Sequence, residues 1–333
     1  MQINDTALRA AQLVCFTTLL GSAALQAAPL DSRSRPMAAP AASGPAGKAN
    51  SPQAAEFRAG VQAQLKGDQA QARLHFEAAL KMDAQYAPAL VGLAAVAQAQ
   101  GQTAQVEPYL QQALAAAPKA PEVHLAWGRY LRGSRQLDRA EKSFITANEL
   151  APKALAPLIE LGDLHLALPG RAPDAVRSYR KAAAIDAKNA VVQYGLGAAL
   201  AVTGQRDEAL RAFERTADLA PNDPTPLRSM GRLHLEAGAA TKALAAFDRG
   251  LARQPKSVAI MLDRSDALAQ LARWPDALKQ LEAVDKLTPG QADVQLKLGD
   301  VLQGAGRWAD AERSYLKAIG LAPRHPMPYN NLA

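Results

Sequence analysis

The chain has 333 residues, of which 49% are hydrophobic but only 5% aromatic, and its formal net charge is +7. Its 38 Lys and Arg residues are interspersed with 31 Asp and Glu residues. This indicates an ordinary solvated surface and argues against a nucleic-acid groove, which needs clustered cations and stacking aromatic side chains. The apolar residues are mainly alanine and leucine, which favours close-packed helices over β-structure.

The first 27 residues have the composition of a secretory signal peptide. A short N-terminal region contains Arg9, residues 11–25 are mostly apolar and uncharged, and the small residues Ala27 and Ala28 follow. This order of segments predicts export and cleavage after Ala27. An uncleaved membrane anchor is the alternative, although the apolar stretch is shorter than the roughly 20 residues that a membrane-spanning helix needs.

Residues 28–52 are dominated by Ala, Pro, Ser and Gly. They lack the apolar periodicity that would bury side chains, so the sequence predicts a disordered linker. Cys15 is the only cysteine and lies inside the predicted signal peptide. After cleavage the chain is therefore expected to have no thiol, no disulfide and no thiolate metal site.

From residue 53 onwards the sequence repeats with a period of 34 residues. Gly231, Ala243, Phe247, Gly250 and Pro255 are separated by steps of 12, 4, 3 and 5 residues, and the same steps recur in several other units. A fixed period of this length is typical of a solenoid of stacked supersecondary units rather than of a single globular core. Glycine inside a helix costs about 1 kcal/mol relative to alanine, so its recurrence predicts that the second helix approaches the first closely there.

This pattern resembles the tetratricopeptide repeat, in which each unit is a pair of antiparallel helices. The resemblance covers residues 53–325 as about eight repeats, which start near residues 53, 87, 121, 155, 190, 224, 258 and 292. It implies an all-α fold, a right-handed α-solenoid of helix-turn-helix repeats. Residues 326–333 resemble the start of a ninth repeat or a partial cap.

Two repeats depart from the pattern. Pro108 follows the expected start of the second helix in the second repeat, so that helix is expected to be distorted or to start late. In the seventh repeat Ser265 and Leu281 replace the usual glycine and aromatic residue. That repeat is therefore expected to pack less well or to present an unusual surface.

The resemblance implies that the first helices line a concave groove. Candidate contact residues then lie on one stripe of each first helix, three or four residues apart. From the third to the eighth repeat the candidates are Leu125, Arg129, Arg132, Ile159, Asp163, Tyr194, Arg228, Arg232, Asp263, Asp266 and Asp300. Their order is basic, apolar, basic and then acidic, which predicts a groove for an extended or helical protein segment. The alternative is that these residues are ordinary solvated positions.

The sequence offers no catalytic or metal-binding motif. The five histidines form no His-x-x-x-His or Glu-x-x-His pair, and His165 and His234 occupy equivalent positions in non-adjacent repeats, which is typical of structural residues. No enzyme activity, metal or cofactor is therefore expected. The alternative is that the chain forms the repeat arm of a larger enzyme, such as a glycosyltransferase, whose catalytic domain follows Ala333.

The combined interpretation is a non-enzymatic scaffold or adaptor in the bacterial periplasm that binds a protein or peptide segment. Exported proteins of this resemblance commonly serve envelope assembly, pilus biogenesis or exopolysaccharide export, so these are the expected processes. No nucleic-acid partner is expected, and no stable membrane insertion once the signal peptide is removed. Association of the chain with itself through the exposed ends of the array is a further expectation.

Overall fold

The computed structural model describes residues 51–323. Within this range the chain forms sixteen α-helices and no β-strand, which confirms the all-α fold class. The predicted signal peptide, nearly all of the predicted linker and the ninth-repeat start at residues 326–333 lie outside the described residues.

The sixteen helices follow one another as eight pairs along residues 51–323. In each pair a first helix of 12 to 14 residues precedes a second helix of 14 residues. The first helices are α1 (Pro52–Leu65), α3 (Ala87–Ala99), α5 (Pro121–Gly133), α7 (Leu155–Ala167), α9 (Ala190–Val202), α11 (Thr225–Glu236), α13 (Val258–Gln270) and α15 (Ala292–Gly304). The second helices are α2 (Gln69–Met82), α4 (Thr103–Ala116), α6 (Leu137–Leu150), α8 (Ala172–Ile185), α10 (Arg206–Leu219), α12 (Ala240–Arg253), α14 (Trp274–Leu287) and α16 (Trp308–Leu321).

The helices belong to two units, which meet in sequence between Ala140 and Glu141. In the first unit each helix from α1 to α5 packs against the next one along the chain. In the second unit the same holds from α7 to α16. Packing against sequence neighbours is the defining property of solenoid repeats, because each repeat completes the core of the one before it.

The core of the second unit is built from the small and aromatic residues of the repeat pattern. A Cβ atom added to Gly231 would lie 2.3 Å from the Phe247 ring, and one added to Gly299 would lie 2.3 Å from the Tyr315 ring. Both separations are far below van der Waals contact. The close approach predicted from the mid-helix glycines is therefore confirmed: the aromatic ring of the second helix packs directly on the backbone of the first.

The second repeat differs from the sequence-based expectation. Helix α4 begins at Thr103, the same repeat position at which the other second helices begin, and Pro108 lies inside it. The predicted late start is therefore wrong. Val106, Leu110 and Ala113 are at most 2% exposed, and burial of this face holds the helix in place although Pro108 cannot donate a backbone hydrogen bond.

The seventh repeat is also well packed. Ser265 and Leu281 are both 0% exposed. Leu281 belongs to an apolar cluster that also contains Phe247 and Tyr315, and the Ser265 hydroxyl donates to the Leu262 carbonyl oxygen over 2.7 Å. A smaller aliphatic residue and a hydrogen-bonded serine thus occupy these two buried positions.

The turn between the two helices of a repeat uses a residue with left-handed backbone. Glycine supplies it at Gly204, Gly238 and Gly306, where φ is 76°, 70° and 74°. Arg135 and Ala272 occupy the same repeat position with φ of 59° and 55°. This conformation brings the Cβ atom of a non-glycine residue close to the following carbonyl oxygen, which costs free energy.

Replacing Ala272 with glycine should therefore raise the free energy of unfolding by about 1 kcal/mol. Chemical denaturation followed by far-ultraviolet circular dichroism measures this change. The matched control is Gly306→Ala at the same repeat position, which should lower the free energy of unfolding by a similar amount. An Ala272→Gly variant less stable than the parent chain would contradict the explanation.

Candidate functional site

The predicted groove residues lie on first helices in both units. Leu125, Arg129 and Arg132 are half-buried on α5 of the first unit. The other eight lie on α7, α9, α11, α13 and α15 of the second unit. The contacts of these eight residues decide which of them are available to a ligand.

Two ion pairs connect first helices of neighbouring repeats in the second unit. Arg228 Nε on α11 donates to Asp263 Oδ2 on α13 over 2.5 Å. Lys297 Nζ on α15 lies 2.5 Å and 2.8 Å from the two carboxylate oxygens of Asp266 on α13. These pairs neutralise three of the charged candidates, so the charge offered to a ligand is smaller than the sequence pattern indicated.

Lys297 is a groove residue that the sequence reasoning missed. Burial lowers the pKa of its ammonium group, but the carboxylates of Asp266, Asp263 and Asp300 outweigh that effect and the net pKa is raised. The lysine therefore stays charged and keeps its pair. Lys297 follows Leu296, which belongs to the predicted stripe of α15, and so lies one position outside that stripe. The prediction treated each first helix separately, so it did not consider side chains that reach a stripe from the next repeat.

Tyr194 makes a third connection between first helices. Its hydroxyl lies 3.3 Å from Ser229 Oγ on α11, and its ring centroid lies 5.5 Å from that of Phe213. The side chain is 7% exposed, and this burial is the main cause of its raised pKa. Tyr194 is therefore mainly a packing residue between repeats and presents little of its ring to a ligand.

Two of the acidic candidates are engaged inside their own repeats. The Tyr179 hydroxyl donates to Asp163, and the Tyr315 hydroxyl donates to Asp300 Oδ1 over 2.9 Å. Gln303 Oε1 is a second acceptor, 2.8 Å from the Tyr315 hydroxyl. In both repeats the residue before the aspartate is a glycine on which the tyrosine ring packs. The aspartate is thus placed where the phenol oxygen emerges from the core.

A sequence signal for this pairing exists. The two repeats with tyrosine at the aromatic position of the second helix have aspartate after the mid-helix glycine, whereas two repeats with phenylalanine do not. The pairs are Asp163 with Tyr179, Asp300 with Tyr315, Ala198 with Phe213 and Arg232 with Phe247. The Tyr-with-Asp combination therefore indicates a buried hydrogen bond rather than a ligand contact.

Removing the phenol hydroxyl should destabilise the second unit. Tyr315 is 2% exposed, so Tyr315→Phe should lower the free energy of unfolding by about 1–2 kcal/mol through loss of a hydrogen bond to a carboxylate. In an Asp300→Ala background the same change should cost at least about 0.5 kcal/mol less, because the charged acceptor is already gone. Chemical denaturation of the parent chain, the two single variants and the double variant measures the coupling free energy. A coupling of zero would show that this hydrogen bond does not contribute to stability.

A partly buried polar cluster joins the end of α7 to α6. His165 Nε2 lies 2.9 Å from Glu141 Oε1, and Arg171 Nη2 donates to the same oxygen over 2.8 Å. The fourth repeat runs from residue 155 to residue 189 and is one residue longer than the 34-residue period, and Arg171 belongs to the turn between its two helices. Burial raises the pKa of Glu141, but the hydrogen bonds from His165 and Arg171 outweigh it, and the net pKa is below the ordinary 4.5.

This depressed pKa predicts a pH-dependent contribution to stability. Because the folded chain holds Glu141 ionised, the stabilisation is complete above pH 4.5 and is lost as the pH falls through the lower folded-state pKa. Glu141→Gln should therefore lower the free energy of unfolding by about 1 kcal/mol near neutral pH. The difference from the parent chain should shrink in acid. Glu149→Gln, an exposed change on the same helix, is the control that should show no such difference.

The remaining stripe positions of the second unit are mainly apolar. Leu166, Leu235, Leu262 and Leu296 are half-buried on α7, α11, α13 and α15, and together with Arg232 they are called the first-helix stripe below. Ile159 contributes less, because it is 8% exposed.

Arg232 is the cation of the first-helix stripe. It is half-buried, and its guanidinium makes no hydrogen bond or ion pair with any residue between 51 and 323. Burial raises the pKa values of Asp266 and Glu236, and the charge of Arg232 offsets part of that rise at longer range. Among the charged candidates of the second unit, Arg232 is therefore the one best placed to meet a ligand.

Two further features bear on the chemistry available to residues 51–323. No group of three or more His, Cys, Asp or Glu side chains in this range is arranged to hold a metal ion. In the same range, every helix is too short or too polar to cross a membrane.

Comparison with known proteins identifies the family. Two family models described as tetratricopeptide repeat match the chain, one over residues 125–190 and the other over residues 168–233 and 234–296. The chain belongs to the tetratricopeptide repeat family. A search of curated proteins found no match.

Several solved structures resemble this tetratricopeptide repeat chain. YrrB, described as a tetratricopeptide repeat protein with an unusual peptide-binding site, is 23% identical over 57% of this chain and 97% of its own, with a TM-score of 0.46. PilF of Pseudomonas aeruginosa is 18% identical over 64% of this chain and 96% of its own, with a TM-score of 0.52. A chain of the APC/C hetero-tetramer Cut9–Hcn1 is 16% identical over 86% of this chain and 56% of its own, with a TM-score of 0.54. The last two show a shared fold.

Proposed function

We propose that this chain is a non-enzymatic scaffold that binds a protein or peptide segment on the first-helix stripe of its second unit. Tetratricopeptide repeats typically act as protein-interaction modules, and membership of that family supports a binding role. The observation that carries the proposal is the combination of half-buried leucines on four first helices of the second unit with Arg232, whose guanidinium has no direct partner within residues 51–323.

The chemistry of the stripe defines the kind of segment that fits. The leucines supply apolar contact area, which gives affinity, while a single unpaired cation selects a segment with an acidic group and fixes its register. The ion pairs at Arg228 and Asp266 already satisfy the charges beside it. A segment with apolar residues and one carboxylate therefore matches better than a strongly charged one.

We further infer that the scaffold works in the bacterial periplasm, in envelope assembly, pilus biogenesis or exopolysaccharide export. The support for this location is the signal-peptide pattern of residues 1–27. Membrane attachment through an uncleaved N-terminal segment is the alternative location. In both cases the repeats face the same compartment and the binding role is unchanged.

Photo-crosslinking in cells tests the binding role. A photo-reactive phenylalanine at Leu235 should form a discrete adduct in the periplasmic fraction, and Arg232→Glu should abolish that adduct by reversing the charge that holds the segment. The control is Arg215→Glu, the same charge change at an exposed position of the second helix α10, which should leave the adduct intact. Arg228→Glu is less informative, because it would place two carboxylates together at Asp263.

The salt dependence gives a second readout of the same contact. Raising the ionic strength should weaken adduct formation in the parent chain, because a half-buried charge is partly screened by salt. An adduct that survives Arg232→Glu in equal yield would remove this residue from the binding site. An adduct confined to the cytoplasmic fraction would remove the periplasmic assignment while leaving the binding role in place.

A further inference from the structure

We propose that one copy of the chain docks its helix α1 onto helix α16 of another copy, so that copies associate head to tail. The proposal is independent of the ligand inferred for the first-helix stripe. It rests on residues of α1 and α16 whose counterparts in other repeats meet at the boundary between a second helix and the first helix that follows it.

Helix α16 carries a tryptophan that lacks the contact made by its counterpart. Trp274, 34 residues earlier, packs on α15, where a Cβ atom added to Gly304 would lie 2.6 Å from the indole ring. Trp308 has the same repeat position at the start of α16 and is 65% exposed. An exposed indole is a large apolar surface whose burial favours association.

A glutamate on the same helix also lacks its usual contact. Glu107 accepts a hydrogen bond from the Tyr130 hydroxyl of the following first helix over 2.8 Å, and Glu141 lies 2.9 Å from His165 Nε2 of the helix that follows it. Glu312 has the same repeat position on α16. It is exposed and makes no hydrogen bond or ion pair within residues 51–323. Helix α16 therefore carries an apolar residue, Trp308, and a hydrogen-bond acceptor, Glu312, at the positions that contact the following first helix in other repeats.

Helix α1 carries the matching apolar residue. Positions within a repeat are counted from the start of that repeat, so residue 292 is position 1 of the eighth repeat. Gly304, which contacts Trp274, is therefore at position 13. Position 13 of α1 is Leu65, which is 76% exposed. Stacking α1 on α16 in the register of an internal boundary therefore sets Leu65 on Trp308 and buries two of the most exposed apolar side chains of residues 51–323.

Helix α1 also carries a matching donor. Tyr130 reaches Glu107 from position 10 of its first helix. Position 10 of α1 is Gln62, an exposed residue whose amide can donate to the carboxylate of Glu312. The same register that joins Leu65 to Trp308 thus also joins a donor to an acceptor, which is why a second copy of this chain is the occupant proposed here.

The proposed contact joins two different surfaces, and each copy keeps one free end after binding. Such a heterologous contact joins copies into a ring or an open chain, so the average mass should rise above that of one copy as the protein concentration increases.

Sedimentation equilibrium of the whole chain tests the proposal. The apparent mass should rise above 35.2 kDa with concentration, and Leu65→Glu or Trp308→Glu should each weaken association at least about tenfold. Met82→Glu, at a 55% exposed position of α2 that belongs to neither end surface, is the control that should associate like the parent chain. Circular dichroism of each variant checks that it is folded.

Mixing the two blocked variants gives the decisive measurement. Leu65→Glu leaves α16 intact and Trp308→Glu leaves α1 intact, so their mixture should form 1:1 dimers that grow no further. A parent chain that stays monomeric at every concentration would overturn the proposal. So would a folded mixture that stays monomeric, or a Trp308→Glu variant that associates as strongly as the parent chain.

Discussion

Packing of an aromatic ring directly on a glycine backbone is the interaction on which the rest of this structure depends. At Gly231 and Gly299 no Cβ atom could be accommodated, because the rings of Phe247 and Tyr315 occupy that space. This contact sets the distance between the two helices of a repeat. It also fixes which side of the first helix is covered, so the residues available to a ligand follow from the position of the glycine.

The identity of the ring then determines the chemistry of the neighbouring surface. A phenylalanine ends inside the core and places no demand on the first-helix residue beside it. A tyrosine at the same position brings a hydroxyl to the edge of the core, and in this chain Asp163 and Asp300 accept hydrogen bonds from that hydroxyl. One oxygen atom in the second helix thus removes an acidic residue from the set of ligand contacts.

Much of the fold could be predicted from the sequence, because its main determinants lie within one repeat. The 34-residue period, the mid-helix glycines and the turn glycines all act over short distances. The prediction failed at Pro108, where local propensity argued for a late helix start and the burial of Val106 and Leu110 decided otherwise. Apolar burial of this kind commonly overrides the preference of one residue.

The candidate site was harder to predict, because its contacts lie between repeats. The sequence shows Arg228 and Asp266 as charged residues of a stripe but does not show that Asp263 and Lys297 reach them from the next helix. That depends on how one repeat is rotated against the next, which the period alone does not specify. Arg232 could be named as a candidate from its position, whereas its lack of a direct partner could only be seen once its neighbours were placed.

The two ion pairs also limit how an array of this kind can change its length. Repeat proteins can lose or gain a whole unit while the core contacts between neighbours are kept. Excision of residues 258–291 would remove Asp263 and Asp266 together, and it would set Lys297 where Asp263 now faces Arg228, since both have the sixth position of their repeat. Two cations would then meet at the new junction. The ion pairs therefore link the sixth, seventh and eighth repeats to one another. Recombination that keeps both pairs would have to exchange these three repeats together.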